Sequence, residues 1–142
     1  MKKVLYVITG AGVTILFYSI ALFLVINPMI KSSGETPESY MGIALMVILP
    51  LCLLVGSSVS GYLVQPLLKK RSALEYLMMS PGSYVAIAYL IPTFIQARTL
   101  ERVFLFFSLL SAMLWIIASF AGTRLGVFFR EKKEKPGTAP ET

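Results

Sequence analysis

The strongest constraint on this chain is a series of long apolar stretches that carry no charge. They cover residues 4–26, 40–64, 82–96 and 103–123. A helix rises about 1.5 Å per residue, so the first, second and fourth stretches exceed the roughly 30 Å of hydrocarbon in a bilayer. Hydrophobic residues make up 56% of the chain, more than a soluble domain needs to fill its core. The sequence therefore predicts an all-α integral membrane protein.

The third stretch is the shortest, and its pattern leaves two structures open. The sequence SALE at 72–75 matches the S-x-x-E capping box of a helix start, whereas SPG at 80–82 bends or restarts a helix. A helix counted from Gly82 would cover only about 22 Å. We expect one kinked helix instead. This gives a four-helix transmembrane domain over residues 1–129, with spans near 4–27, 40–65, 73–97 and 103–126.

Charge predicts the orientation of these spans. With both ends inside, ten Lys and Arg side chains lie in the cytoplasm and three, Lys31, Arg98 and Arg102, lie outside. Positive charge near span ends favours the cytoplasmic side, so we expect an N-in/C-in topology. The first apolar run is too long for a cleaved signal peptide, so we expect it to be an uncleaved first span. The sequence shows no amphipathic, Arg-rich and Ser-rich presequence, which favours the bacterial plasma membrane. Residues 130–142 are rich in charge, Pro and Gly, and we expect them to form a disordered cytoplasmic tail.

Small residues recur at intervals of four in three of the predicted spans. Lipid tails are as apolar as leucine, so membrane helices associate through close backbone contact at such residues. The candidate packing residues are Gly10, Thr14, Gly56, Ser60, Gly61, Ala118, Gly122 and Gly126. On the expected orientation they share the cytoplasmic half, and we interpret them as a packing seam rather than a substrate pocket. Pro50 and Pro92 suggest instead that the helices splay in the outer half, around a cavity.

Composition argues against most chemistry inside the membrane. The chain has no His and no Asp, and each Glu lies at or beyond a span boundary. Proton relays and metal sites in membranes use such groups, so we expect no metal, no cofactor and no enzyme activity. The serines have no candidate general base beside them. We interpret the net charge of +6 as the excess of cytoplasmic Lys and Arg that orients the spans. No nucleic acid is expected as a partner.

Four cationic residues near the cytoplasmic boundary are candidates for contact with lipid headgroups. They are Lys69, Lys70, Arg71 and Arg124. Arg124 stands inside an apolar stretch, where an arginine either extends toward lipid phosphate or binds a neighbouring helix. Trp115 and Cys52 fall near mid-span, and we expect both to fill the core.

The region from about Leu49 to Arg130 resembles small four-span bacterial membrane proteins of uncharacterised function. The residues that carry the resemblance are LLVGSSVSGYLV with the following KKR, and AGTRLGVFFRE near the end of the last span. The third span departs from the glycine-rich third span of such proteins, because it keeps only Gly82. The resemblance implies the four-span topology and no activity.

Two functions are consistent with this sequence. The first is a non-enzymatic membrane protein that acts through helix or lipid contacts, as an accessory subunit of a larger complex. The alternative is a small homo-oligomeric transporter, channel or lipid-handling protein, with its path near Pro50 and Pro92. The expected partners are membrane lipids together with another membrane protein or further copies of the chain.

Overall fold

The computed structural model describes residues 1–68, 72–99 and 101–135. Within these ranges the chain is helical and contains no strand, which confirms the all-α prediction. The helices are α1 Lys2–Ser33, α2 Pro37–Leu67, α3 Ala73–Met78, α4 Pro81–Ile95 and α5 Arg102–Glu134. By length and composition, α1, α2 and α5 could each cross a membrane, and α4 is a shorter apolar helix. The fold is that expected of a membrane protein.

The long helices extend further than the sequence predicted. Helices α1, α2 and α5 have 32, 31 and 33 residues, so each is longer than the hydrocarbon layer. The segment 27–39 was predicted as a loop, but α1 continues through it to Ser33 and ends at Gly34, which has a φ of 68°. The tail was predicted to begin at residue 130, but α5 continues to Glu134. Residues 136–142 lie outside the described residues.

The third predicted span is two helices, so the single kinked helix over 73–97 is wrong. Helix α3 starts where the capping box predicted, because the Ser72 hydroxyl accepts the N–H of Glu75 at 3.3 Å. Ser80 is extended, with φ −92° and ψ 124°, and α4 begins at Pro81. A residue before proline disfavours the helical region, and Pro81 has no N–H to bond back to α3. The chain therefore breaks rather than bends.

Two turns of wider π-helix lie directly before prolines in α1 and α2. They cover Leu22–Ile26 and Ala44–Ile48, and Pro28 and Pro50 follow two residues later. In α2 the N–H of Leu49 reaches back five residues to the Ala44 carbonyl. The next residue, Pro50, has no N–H to offer to the Leu45 carbonyl. The indole N–H of Trp115 in α5 donates to that carbonyl at 2.8 Å.

Helix α2 lies at the centre of the bundle. It packs most extensively on α5 and next on α1, and α4 packs mainly on α5. Small and hydroxyl residues such as Ser57, Ser60 and Ser119 are fully buried between the helices. Large apolar side chains such as Leu16 and Phe106 point away from the bundle and are exposed. This arrangement suits a lipid environment, where close helix contact rather than apolar burial holds helices together.

Larger side chains form the core in the other half of the bundle. One cluster joins α1 to α2 through Ile26, Tyr40, Ile48 and Cys52. A second joins α2, α4 and α5 through Leu53, Ala86, Ala112 and Trp115. The Trp115 side chain is 1% exposed, and its ring meets that of Tyr89 edge to face at 4.9 Å between centroids. Cys52 and Trp115 thus both contribute to packing, and Trp115 in addition bonds the backbone of α2.

The bond from Trp115 to Leu45 can be tested with a double-mutant cycle. We expect Trp115→Phe to lower the free energy of unfolding by about 1–3 kcal/mol, because the Leu45 carbonyl loses its donor. In a Pro50→Ala background the restored backbone N–H can bond that carbonyl, so the same substitution should cost less. The measurement is unfolding in detergent micelles followed by circular dichroism. Pro28→Ala is the control, because it also follows a π turn but lies far from Trp115. An equal cost in all three backgrounds would contradict the role assigned to Pro50.

Candidate functional site

The end of the bundle where α1 begins and α5 ends, here called the inner end, contains most of the residues singled out in the sequence. The break between α3 and α4 lies in this region, and buried serines from α2 and α5 surround it. We call Ser57, Ser60, Ser80, Gly82 and Ser119 the hydroxyl junction. All four of its serines are 0% exposed. Their hydroxyl groups must therefore find hydrogen-bond partners within the protein.

Ser119 of α5 is the centre of the hydroxyl junction. Its hydroxyl oxygen accepts the N–H of Gly82 at 2.8 Å, and it is also hydrogen-bonded to the hydroxyl of Ser57. The Gly82 N–H belongs to the first turn of α4, which has no carbonyl of its own helix to bond. Ser119 therefore joins three helices and satisfies a backbone donor that the break leaves free.

The other side of the break is closed by Ser60 and Ser80. The Ser60 hydroxyl of α2 donates to the carbonyl of Met79 at 3.0 Å, at the end of α3. The Ser80 hydroxyl lies 2.9 Å from the Leu77 carbonyl and 2.8 Å from the Ser83 hydroxyl. A buried backbone group without a partner destabilises a fold, so these bonds are what allows a broken helix at this place.

Helices α1 and α2 touch backbone to backbone beside the hydroxyl junction. A Cβ atom at Gly10 would lie 2.7 Å from the Gly56 carbonyl oxygen and 2.7 Å from the Ser60 Cβ. A Cβ at Gly56 would in turn overlap the Thr14 hydroxyl, which donates to the Gly10 carbonyl at 2.9 Å. Real Cβ atoms do not approach so closely, so only glycine fits at both positions. Four of the predicted packing residues thus meet in one contact.

Helices α2 and α5 make the second close contact. A Cβ at Gly61 would overlap the Thr123 backbone, and one at Gly122 would overlap the Leu54 carbonyl. A Cβ at Gly126 would lie 2.7 Å from the Tyr62 nitrogen. Ala118 was predicted on the same stripe but is only half-buried, and the fully buried residue at this level is Ser119. The buried face of α5 alternates steps of four and three residues, whereas the prediction used steps of four alone.

Arg130 fastens the inner end of α2 to α5. The N–H of Gln65 bonds the Gly61 carbonyl, and the next residue, Pro66, has no N–H for the carbonyl of Tyr62. The Nη1 atom of Arg130 donates to that carbonyl at 2.9 Å, and its Nε donates to Glu134 at 2.9 Å. The guanidinium also lies 5.4 Å from the centre of the Tyr62 ring.

Three of the four candidate lipid contacts, Lys69, Lys70 and Arg71, lie outside the described residues. Arg124 is exposed, and its guanidinium carbon lies 5.8 Å from the ring centres of both Tyr76 and Phe120. A neighbouring cation, Lys3, forms an ion pair with Glu75 at 3.6 Å, which links the start of α1 to α3.

The surface of the described part of the bundle has several clefts, of which three adjoin the helices discussed above. One of about 430 Å³ lies between α1 and the α3–α4 break, and its wall includes Val7, Met79 and Tyr84. A second of about 340 Å³ lies between α1 and α2 near Tyr18 and Tyr40. A third of about 540 Å³ lies between Tyr76 of α3 and the last turns of α5, from Arg124 to Glu131. Pro50 and Pro92 line none of these three.

The chemistry of the hydroxyl junction is structural. Its hydroxyls bond carbonyls, an N–H or one another, and within the described residues no group of three His, Cys, Asp or Glu side chains could hold a metal. Sequence analysis did not predict the bonds that Trp115, Ser119 and Arg130 make to the backbones of other helices. Prolines 50, 66 and 81 were the available signal, because each leaves a backbone group of its helix without a partner.

Fold and site together define a helical protein with long apolar helices, closely packed at one end. Searches for similar protein families, curated proteins and solved structures find no match.

A matched pair of glycines in α1 tests the close contact with α2. We expect Gly10→Ala to lower the free energy of unfolding by about 1–3 kcal/mol, because the added methyl group must displace the backbone of Gly56. Gly12→Ala is the control, since nothing lies within 4 Å of its Cβ position. Alanine favours helix over glycine, so this variant should be neutral or slightly more stable. Thermal unfolding in micelles measures both, and equal melting temperatures would contradict the contact.

A matched pair of serines in α5 tests the hydroxyl junction. Ser119→Ala leaves the Gly82 N–H without an acceptor, and we expect a loss of about 1–3 kcal/mol. Ser111→Ala should be close to neutral, because the buried Ser111 hydroxyl bonds only the Phe107 carbonyl of its own helix. Hydrogen exchange at the first turn of α4 should become faster in the Ser119 variant alone. Unchanged exchange there would show that Ser119 does not cap α4.

Proposed function

We propose that this chain is a four-span protein of a bacterial plasma membrane, with both ends in the cytoplasm. In this topology α4 is the third span, and its length of about 22 Å requires local thinning of the bilayer or cover from its neighbours. The ten-to-three distribution of Lys and Arg favours this orientation. The resemblance to small four-span bacterial proteins agrees with it.

The proposed role is that of a non-enzymatic accessory subunit, which binds a larger membrane complex through the surface of its helices. The observation that carries this proposal is the contrast between a closed interior and an apolar exterior. The serines of the hydroxyl junction and the guanidinium of Arg130 bond one another, the backbone or Glu134, as in the bonds of Ser119, Ser60 and Arg130. The outward-facing side chains are mostly large and apolar. What the molecule offers to a partner is therefore the shape of its surface.

Helix α1 is the favoured contact surface for the partner. In its most apolar window 11% of the residues are buried, compared with 28% in α2 and in α5. Helix α1 packs mainly on α2, and side chains such as Leu16 and Phe23 are exposed. One further helix could lie along this face without any change in the bundle.

The transporter or channel alternative has less support. The carbonyl that Pro50 frees is bonded by Trp115, and Leu49 packs against the cluster around Leu53. Pro92 is exposed on the outer face of α4. A path along these two prolines would have to open the packed core.

Site-specific photo-crosslinking tests the proposed subunit role. A crosslinker at Leu16 of α1 should capture a second, different membrane protein in a fixed ratio when cells are irradiated. The control position is Ile91 of α4, which is similarly exposed, 56% compared with 59%, and should capture lipid. Crosslinks at Leu16 to further copies of this chain alone would exclude the accessory-subunit role and favour a homo-oligomer.

A further inference from the structure

We propose that the cleft between α3 and the last turns of α5 holds the phosphate of a glycerophospholipid, with Arg124 as its ligand. This inference rests on the proposed function in one respect, because it requires the inner end to face the cytoplasmic leaflet. It adds a lipid-binding site at a cleft that is open to the surface of the bundle.

The first argument is that Arg124 keeps all of its hydrogen-bond donors. Within the described ranges its guanidinium makes ring contacts but no hydrogen bond and no ion pair. Arg130, one and a half turns later, uses its donors on the Tyr62 carbonyl and the Glu134 carboxylate. A guanidinium has five N–H groups in a planar fork that matches the oxygens of a phosphate. Arg124 therefore has N–H groups available to donate hydrogen bonds to a phosphate.

The second argument is that the Arg124 guanidinium is held in position. The rings of Tyr76 and Phe120 meet edge to face, with centroids 6.0 Å apart, and the cation lies 5.8 Å from the centre of each. Cation–π contacts orient a guanidinium but neither neutralise its charge nor occupy its donors. An arginine that only extended into mobile headgroups would not need two rings to position it. The binding geometry is thus formed before the ligand arrives.

The third argument is the level of Arg124 along α5. It lies 22 residues after Arg102, the first residue of the helix, which is about 33 Å at the usual rise. The hydrocarbon layer is roughly 30 Å thick, so Arg124 falls where the phosphates of one leaflet begin. A free phosphate in solution would not be confined to this level, but the phosphate of a lipid is.

The cleft itself favours a lipid over a soluble phosphate. It has a volume of about 540 Å³ and combines Arg124 with the apolar side chains of Leu125, Val127 and Phe128. Leu125 and Phe128 are exposed, so they can cover the glycerol and the start of an acyl chain. Glu131 lies two turns beyond Arg124 and takes part in an interaction of its own. The polar and apolar parts of the wall thus match the two parts of a phospholipid.

The test measures binding of phosphatidylglycerol to the purified full chain in mixed micelles. Native mass spectrometry should show one lipid retained by the wild type, and Arg124→Gln should bind it roughly tenfold more weakly. Arg124→Lys should fall between them, because lysine keeps the charge but loses the planar fork. Without added lipid, the melting temperature of Arg124→Gln should stay close to that of the wild type, since among the described residues the substitution removes only exposed cation–π contacts.

The control is Arg102→Gln, an exposed arginine at the opposite end of the same helix, which should retain the lipid as the wild type does. Equal retention by the wild type and Arg124→Gln would overturn the proposal, as would an equal loss in Arg102→Gln. Glycerol 3-phosphate should not displace the lipid, and displacement would reassign the cleft to soluble phosphates. The crosslinks expected at Leu16 do not depend on any of these results. One experiment can therefore contradict the lipid site while the other still supports the subunit role, and the reverse.

Discussion

The constraint on which the rest of this structure depends is that a buried backbone polar group must have a hydrogen-bond partner. Three of the prolines, Pro50, Pro66 and Pro81, interrupt the backbone bonding of helices that α5 contacts. Helix α5 supplies one side chain to each interruption: Trp115 donates to the Leu45 carbonyl, Arg130 to the Tyr62 carbonyl, and Ser119 accepts the Gly82 N–H. The last helix is therefore the element that completes the other two. Its unbroken length of 33 residues, free of proline, suits it to this task.

The glycines and the serines of the inner end depend on one another. A serine hydroxyl is short, so it can reach the backbone of a second helix only where the two helices are in contact. Gly122 and Gly61 bring the backbones of α2 and α5 to that distance, and Ser57 and Ser119 then bond across the contact. Each bond in turn removes the cost of burying the polar groups that close contact traps. Replacing the glycines would weaken the serine hydrogen bonds, and replacing the serines would weaken the close contact of the helices. The glycines and the serines therefore stabilise the same contact together.

The sequence was sufficient to predict the helical class and the glycines that touch, because both depend on patterns within one segment. Gly10, Gly56 and Gly122 could be found from their spacing alone. The bonds of Trp115, Ser119 and Arg130 could not, because each depends on which carbonyl or N–H of another helix faces it. The third span shows the same limit: the capping box at Ser72 and the proline at position 81 each predict a helix start, and both starts exist. The sequence does not show that Ser60 and Ser119 of two other helices would bond the backbone groups on either side of this break.

The two arginines near the end of α5, Arg124 and Arg130, have different roles. Arg130 donates to the Tyr62 carbonyl and to the Glu134 carboxylate, so its guanidinium stabilises the fold. Among the described residues Arg124 makes ring contacts with Tyr76 and Phe120 and no hydrogen bond, so its donors are not used by the fold. These cation–π contacts orient the guanidinium and leave its N–H groups available. The N–H groups that the rings leave unused are the ones to which the proposed lipid phosphate would bind.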